Sequence, residues 1–271
     1  MLLPTPAAEL AGERHGAGQP VSVYAPGVGA SIAETRLLAH GVPGTGAFVH
    51  FRGHGASRAR DGRWDYAALA GDLRAVADTA GATRALGVSM GAAALLRVLA
   101  ETPDRFSRLV FFLPAVLDRP RVDVGVERLA RMADLADAGD TAARQEYLLA
   151  ELPVAVRAQA AAVAWTRQRA GELAGSGVAH LLRALPPLVP VSSAAALAEV
   201  VAPALVIGQE GDDVHPAGVA RRLAAALPRA ELVVFPTTGA LWEPGPRARL
   251  RGLLSDFLAD VPTPRRRPPI A

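Results

Sequence analysis

The stretch Ala85-Leu86-Gly87-Val88-Ser89-Met90-Gly91-Ala92-Ala93-Ala94 decides how the rest of the chain is read. Ala85 to Val88 is a short apolar run of strand character, and it leads without a linker into Ser89 and a segment whose Leu95, Leu96 and Leu99 recur at helical spacing. Gly87 and Gly91 flank the serine in a G-x-S-x-G pattern. A strand-to-helix turn this tight has no room for side chains beside the serine. It raises the hydroxyl at a helix N-terminus, where unpaired backbone N–H groups favour a developing negative charge. The pentapeptide recurs by chance, and an ordinary helix-capping serine is the plain alternative. The strand-turn-helix context and the three small alanines favour a nucleophile.

Outward from this turn, strands and helices alternate. Val21 to Ala25 reads as a strand, followed by a helix that Ser31 caps and that runs to His40. Ala47 to Phe51 is a second strand, and Asp65 begins a helix to Ala80 that Gly81 stops. Leu109 to Leu113, Leu205 to Gly208 and Leu232 to Phe235 are further strands, the last two followed by helices from Pro216 to Leu227 and from Pro246 to Leu258. Strands separated by crossover helices predict an α/β fold with a mostly parallel sheet and helices on both faces. From Pro114 to Pro203 the rhythm breaks into helices alone: Val126 to Ala138, Ala142 to Leu152, Val154 to Leu173 and Ala179 to Leu185. The expected organisation is one domain over residues 1–260, a helical cap inserted at about 115–202, and a flexible Pro/Arg-rich tail over 261–271.

Composition narrows the chemistry. The chain has 271 residues, 51% of them hydrophobic and 20% charged, which excludes a disordered polymer. Cysteine is absent, so disulfides, thiolate metal sites and a cysteine nucleophile are ruled out. The calculated pI of about 10.1 suggests a basic protein, yet the formal net charge is only +3. All 29 basic residues are arginine, and Arg265, Arg266 and Arg267 of the tail account for the excess over the 26 acids. The body is electrically balanced, and no nucleic-acid footprint is visible. The start of the chain lacks a basic, then apolar, signal pattern, and no run is apolar enough to span a bilayer. A cytoplasmic protein without a membrane partner is the expectation. No Walker or H-E-x-x-H spacing occurs, and Gly27-Val28-Gly29 lacks the third glycine of a dinucleotide loop, so neither a cofactor nor a metal is expected.

With these motifs in place, the sequence resembles the α/β-hydrolase superfamily from about Pro20 to Val261. The order matches: a first strand ending in Tyr24-Ala25-Pro26-Gly27-Val28-Gly29, a second ending in Arg52-Gly53-His54-Gly55-Ala56-Ser57, the serine turn, a helical block, and an acid-bearing strand. Arg52 to Ser57 is similar to the family's R-G-H-G-x-S loop, in which the histidine supports the loop. The resemblance implies Ser89 as nucleophile and the N–H groups of Val28 and Met90 as an oxyanion hole. Relatives usually carry His-Gly where this chain has Pro26-Gly27. Asp212-Asp213-Val214-His215-Pro216 resembles the family's D-x-V-x-P turn, which puts Asp212 in the acid position. Asp213 is one residue away, and two carboxylates opening a helix at its positive dipole end are the plain alternative.

The third member of the triad departs from the family. In Thr237-Thr238-Gly239-Ala240-Leu241-Trp242-Glu243-Pro244, Ala240 stands where relatives carry histidine, and no histidine follows His215. A serine hydroxyl needs a base, and losing the histidine of a serine hydrolase costs on the order of a millionfold in turnover. His15, His40, His50 in its strand and His54 in its supporting loop are poor substitutes. His215, on the turn of Asp212, and His180, in the cap, are the candidates for an alternative base. His215 carries a geometric objection, because base and orienting acid normally come from different strand ends. Installing histidine at Ala240 is then expected to raise ester hydrolysis. The resulting reading is a Ser-nucleophile hydrolase of a small ester or acyl substrate with unusual base activation. The alternative is a non-catalytic member of the fold that binds a small ligand or a protein partner.

Overall fold

In the computed structural model, which describes residues 2–5, 8–60, 62–175 and 177–259, the predicted alternation closes into one sheet. Its strands are β1 (Leu2–Pro4), β2 (Ala8–Gly16), β3 (Val21–Ala25), β4 (Thr45–Val49), β5 (Arg58–Ala59), β6 (Arg84–Val88), β7 (Arg108–Phe112), β8 (Ala204–Gln209) and β9 (Ala230–Phe235). They lie in the order β1-β2-β4-β3-β6-β7-β8-β9, with β5 pairing on β2. From β4 to β9 every pairing is parallel, whereas β2 runs antiparallel to β1, β4 and β5.

The helices are α1 (Ile32–Arg36), α2 (Tyr66–Ala80), α3 (Met90–Glu101), α4 (Val124–Asp137), α5 (Thr141–Glu151), α6 (Ala160–Gly175), α7 (Val178–Ala184), α8 (Ala217–Ala226) and α9 (Pro244–Leu258). Each central strand feeds two cores. Val23, Ala85, Phe111 and Val206 pack with α2, α3 and α8, while Tyr24, Leu86, Phe112 and Ile207 pack with α1 and α9. Burial on both faces is why these strands read as continuous apolar runs. The helix signals act as the sequence implies. The Asp65 side chain accepts from Ala68 N–H at 2.7 Å, Gly81 ends α2 at φ 66°, and Ser31 and Glu34 form a reciprocal capping box.

Several boundaries differ. The second parallel strand is β4, so His50 and Phe51 fall beyond it rather than inside. Its start is pinned early, because Thr45 N–H donates to the Pro20 carbonyl and Thr45 Oγ1 to that of Gly18. The helix after Ser31 stops at Arg36 and continues only as a 3-10 turn over Leu37–Ala39. The long helix expected from Val154 begins at Ala160, because Pro153 and two β-branched valines favour the 3-10 turn Val154–Val156 instead. The hairpin of β1 and β2 has no counterpart in the sequence reading. Beyond Ala8 and Leu10, β2 carries Glu13, Arg14 and His15 exposed, so its alternation is lost. The tail over 261–271 lies outside the described residues.

Helices α4 to α7 lie between β7 and β8 and have a core of their own, built from Leu129, Met132, Leu173, Val178 and Leu182. The buried Arg144 guanidinium joins three of them, donating to the carbonyls of Leu135 at 2.7 Å and Ala170 at 3.0 Å and to Thr141 Oγ1 at 2.7 Å. The Leu135 carbonyl belongs to the C-terminal turn of α4, whose partial negative charge suits a cation. Among the described residues no helix is long and apolar enough to cross a membrane.

β3 lies between β4 and β6, so the chain first builds outward to one side and then returns to the other. Where the strand order reverses, the loops after β3 and β6 diverge and open a crevice at the carboxyl ends of the strands. The loop after β4 is braced beneath it. Arg52 donates through Nε and Nη2 to the two oxygens of Asp72 on α2, at 2.9 and 2.7 Å, with both side chains almost fully buried. His54, buried and pushed down to about 4 by desolvation, stays neutral and bonds the Arg52 carbonyl through Nδ1 at 3.2 Å. The Ser57 hydroxyl donates to the His50 carbonyl at 2.6 Å and accepts from Ala11 N–H at 2.8 Å. Asp72→Asn removes the carboxylate charge that the buried Arg52 guanidinium grips, and urea unfolding should record a loss of about 3–5 kcal/mol. A loss below about 1 kcal/mol would mean that the pair is not the brace of this loop.

Candidate active site

The serine turn is built as its sequence requires. Ser89 sits at φ 50°, a region that costs energy for any residue but glycine, between the end of β6 and the start of α3. The geometry is over-determined by its neighbours. Ser89 N–H donates to the Phe112 carbonyl at 3.1 Å, and the Ser89 carbonyl accepts from Ala93 N–H at 3.1 Å. A Cβ at Gly91 would stand 2.2 Å from the Ala25 carbonyl oxygen, and one at Gly87 would stand 2.6 Å from that of Gly91. Both glycines are therefore demanded by backbone approach.

The loop after β3 passes directly beside the serine, where a Cβ on Gly27 would lie 3.5 Å from Ser89 Cβ. The Gly27 carbonyl accepts from Ala30 N–H at 3.2 Å, which fixes the peptide plane that carries Val28 N–H. Neither Val28 N–H nor Met90 N–H donates to an acceptor among the described residues. Two free donors beside a raised hydroxyl are what an oxyanion hole requires.

At the end of β8 the chain makes the turn on which the acid was expected. Asp212 is saturated as an acceptor. Oδ1 takes Val214 N–H at 3.0 Å and His215 N–H at 2.8 Å, while Oδ2 takes Gln209 Nε2 at 2.8 Å and lies 3.0 Å from His215 Nδ1. Burial pushes the Asp212 carboxyl up, but the His215 charge and the hydrogen bonds from His215 and Gln209 outweigh it and hold the group well below the usual carboxylate range. An ionised carboxylate only accepts, so Nδ1 of His215 carries a proton, and in the neutral form of the ring Nε2 presents its lone pair. That Nε2 lies 3.0 Å from Ser89 Oγ.

The structure thus brings Ser89, His215 and Asp212 into one hydrogen-bonded line, with base-type and acid-type residues three positions apart on a single turn. The objection that they should come from different strand ends does not hold here, because the Asp212 carboxylate grips both the backbone and the ring of His215. Asp213 points elsewhere, accepting from Arg128 Nη2 at 2.7 Å. His180 is exposed on α7, whose Val178, Ala179, Leu181 and Leu182 take the buried side, and it does not line the cavity over Ser89. His50 accepts from Ile32 N–H at 3.1 Å through Nε2, and His15 pairs with Glu13 on β2. Ala240 is buried in the core shared with α1 and α9. Its neighbour Trp242 instead packs edge-on against Trp165 of α6 with ring centroids 5.0 Å apart. An imidazole thus already lies beside Ser89 without a histidine at position 240.

The cavity above these groups measures about 550 Å³ and lies between the sheet edge and helices α4 to α7. Its walls are mainly Leu, Val, Met and Trp side chains, including Leu129, Met132, Leu148, Leu182 and Trp165. Sequence reasoning missed the residues that tie these helices to the reactive loops. Arg169 of α6 donates to the carbonyls of Val28, at 2.8 Å, and Gly29, and pairs with Glu34 at 3.0 Å. Arg128 of α4 bridges Asp213 and Glu151, and Gln209 positions Asp212. An arginine in an amphipathic helix carries no local signal of such a role. Gln209, a buried amide ending an apolar strand, does. Among the described residues no three His, Asp or Glu side chains converge as metal ligands would.

Comparison with known proteins bears on the fold and the family. Residues 15–252 match the family model described as the alpha/beta hydrolase family. Among solved structures, the chain is similar to an enol-lactonase from Burkholderia xenovorans LB400, with a TM-score of 0.79, 21% identity, and coverage of 96% of this chain and 100% of that one. It is also similar to an esterase from Exiguobacterium antarcticum, at a TM-score of 0.74 and 18% identity over 93% and 96% of the two chains. A thermophilic esterase from Thermogutta terrifontis matches at 0.74 and 20% identity over 97% and 99%. At these identities the likeness speaks for the fold, and the family follows from the sequence match over most of the chain. The chain belongs to the alpha/beta hydrolase family.

Proposed function

We propose that the protein hydrolyses a small, largely apolar ester or related acyl substrate. In this reading Ser89 is the nucleophile, His215 the general base and Asp212 its orienting acid. The observation that carries it is the 3.0 Å contact of His215 Nε2 with Ser89 Oγ, continued by the 3.0 Å contact of Nδ1 with Asp212. Ser89 Oγ attacks the carbonyl carbon while its proton passes to His215 Nε2. The oxygen that becomes negative is received by Val28 N–H and Met90 N–H. The imidazolium then protonates the leaving alkoxide, and a water attacks the acyl-serine by the same route in reverse. Asp212 remains ionised throughout and stabilises the imidazolium. The apolar walls above Ser89 suit an apolar acyl or alcohol group. The rival reading, a ligand-binding member without catalysis, rested on the missing histidine at 240, and His215 takes that motive away.

A fluorophosphonate probe should label the wild-type protein covalently, and Ser89→Ala should abolish the label. A folded wild-type protein that stays unlabelled would sink the hydrolase reading. Arg169→Leu should lower kcat on a p-nitrophenyl ester by about tenfold while changing KM little. A loosened Val28 loop weakens one oxyanion donor, whose outright loss costs about a hundred- to thousandfold. Arg169→Lys should restore part of the rate, and an unchanged kcat in the leucine variant would show that the contact to the loop is idle.

A further inference from the structure

Most ionisable groups lining the cavity over Ser89 are paired with another side chain. Glu34 pairs with Arg169, Glu151 with Arg128, Arg121 with Asp123, and His215 with Asp212. Two are not. Arg247 and Arg251 of α9 line the same cavity, and among the described residues neither side chain has an ion pair or hydrogen bond. Arg247, Leu250, Arg251 and Leu254 recur at i, i+3, i+4 and i+7, so one stripe of α9 faces the cavity. Leu250 and Leu254 are buried, Arg251 is half-buried and Arg247 exposed. Like charges four residues apart on a helix repel, and among the described residues no carboxylate forms an ion pair with either.

Exposed side chains also line the cavity. Leu37, 58% exposed, and Leu241, 38% exposed, line it together with the two arginines. The cavity therefore combines apolar walls, a serine hydroxyl and a cationic rim that the fold itself does not neutralise. A guanidinium presents a planar fork of donors that matches a carboxylate, and two of them raise the local concentration of an anion at the mouth.

We infer that the substrate carries a carboxylate remote from its scissile ester bond, received by Arg247 and Arg251 while the chain between lies along the apolar walls. A half-ester of an aliphatic dicarboxylic acid has this form. The inference rests on the reading of Ser89 as the nucleophile for what is cleaved, but its binding half can be measured without catalysis.

Calorimetric titration of the Ser89→Ala protein with monomethyl adipate and with the neutral methyl pentanoate separates the two. The half-ester should bind about tenfold more tightly, a preference that shrinks at about 0.5 M salt, where exposed charges are screened. The preference should fall to about 1 when Arg247→Gln and Arg251→Gln are added. Arg247→Glu with Arg251→Glu should reverse it, an outcome that damaged folding does not produce. Equal binding of the two esters, no measurable binding of the half-ester, or a preference that survives the glutamine pair would overturn the inference. A wild-type protein that fails to label with fluorophosphonate while the half-ester preference stands would remove the hydrolase reading and leave the anion site. Labelling without the preference would do the opposite.

Discussion

The site depends on one carboxylate. Asp212 accepts four hydrogen bonds, two from the backbone of its own turn, one from Gln209 and one from the His215 ring. Bonds to an ionised acceptor are about twice as strong as neutral ones, and here they act on one short segment. The carboxylate shapes the turn and, through that shape, aims the imidazole. In a triad whose members come from separate loops, the orientation of base against acid depends on how those loops pack. In this chain it is set within four residues, and only the approach of the turn to Ser89 depends on the rest of the fold.

That approach is secured from above. Val28, beside Ser89, and Val214, between Asp212 and His215, both pack into the core formed by α4, α6 and α7. Arg169 fastens the first loop through two carbonyls, and Arg128 and Arg121 fasten the second through Asp213. The helices inserted between β7 and β8 therefore roof the cavity and also hold the loops of Val28 and Asp213. Separating them from the sheet would expose Val28 and Val214 and release both loops together. The apolar contacts resist this with a non-directional force, and the arginine contacts add direction.

The fold was legible because its signals are local and mutually consistent. Gly87 and Gly91, the caps Ser31 and Asp65, the stop at Gly81 and the two-sided apolar strands all point to one topology. What escaped was set by distant partners. β2 hides its strand character behind Glu13, Arg14 and His15, because pairing with β4 makes it a strand rather than its own pattern. The Ser89 turn was visible in its two glycines, and the turn of Asp212 in its resemblance to the family's D-x-V-x-P pattern. The position of His215 could be named but not aimed, since whether a ring three residues from an acid reaches a serine 126 positions away depends on how β6 and β8 lie in the sheet. Arg169, Arg247 and Arg251 gave no sign, because a cation in an amphipathic helix looks the same whether it meets solvent, a loop carbonyl or a ligand.

The central claim is that the base comes from the turn of the acid. Its most direct measurement is the kcat/KM of His215→Gln against wild type on an activated ester, with folding checked by the thermal midpoint. A fall of about ten-thousandfold or more at an unchanged midpoint is the predicted result, leaving the residual rate that an oxyanion hole and binding supply. A His215→Gln protein that keeps the wild-type kcat/KM would contradict the account and place the base elsewhere.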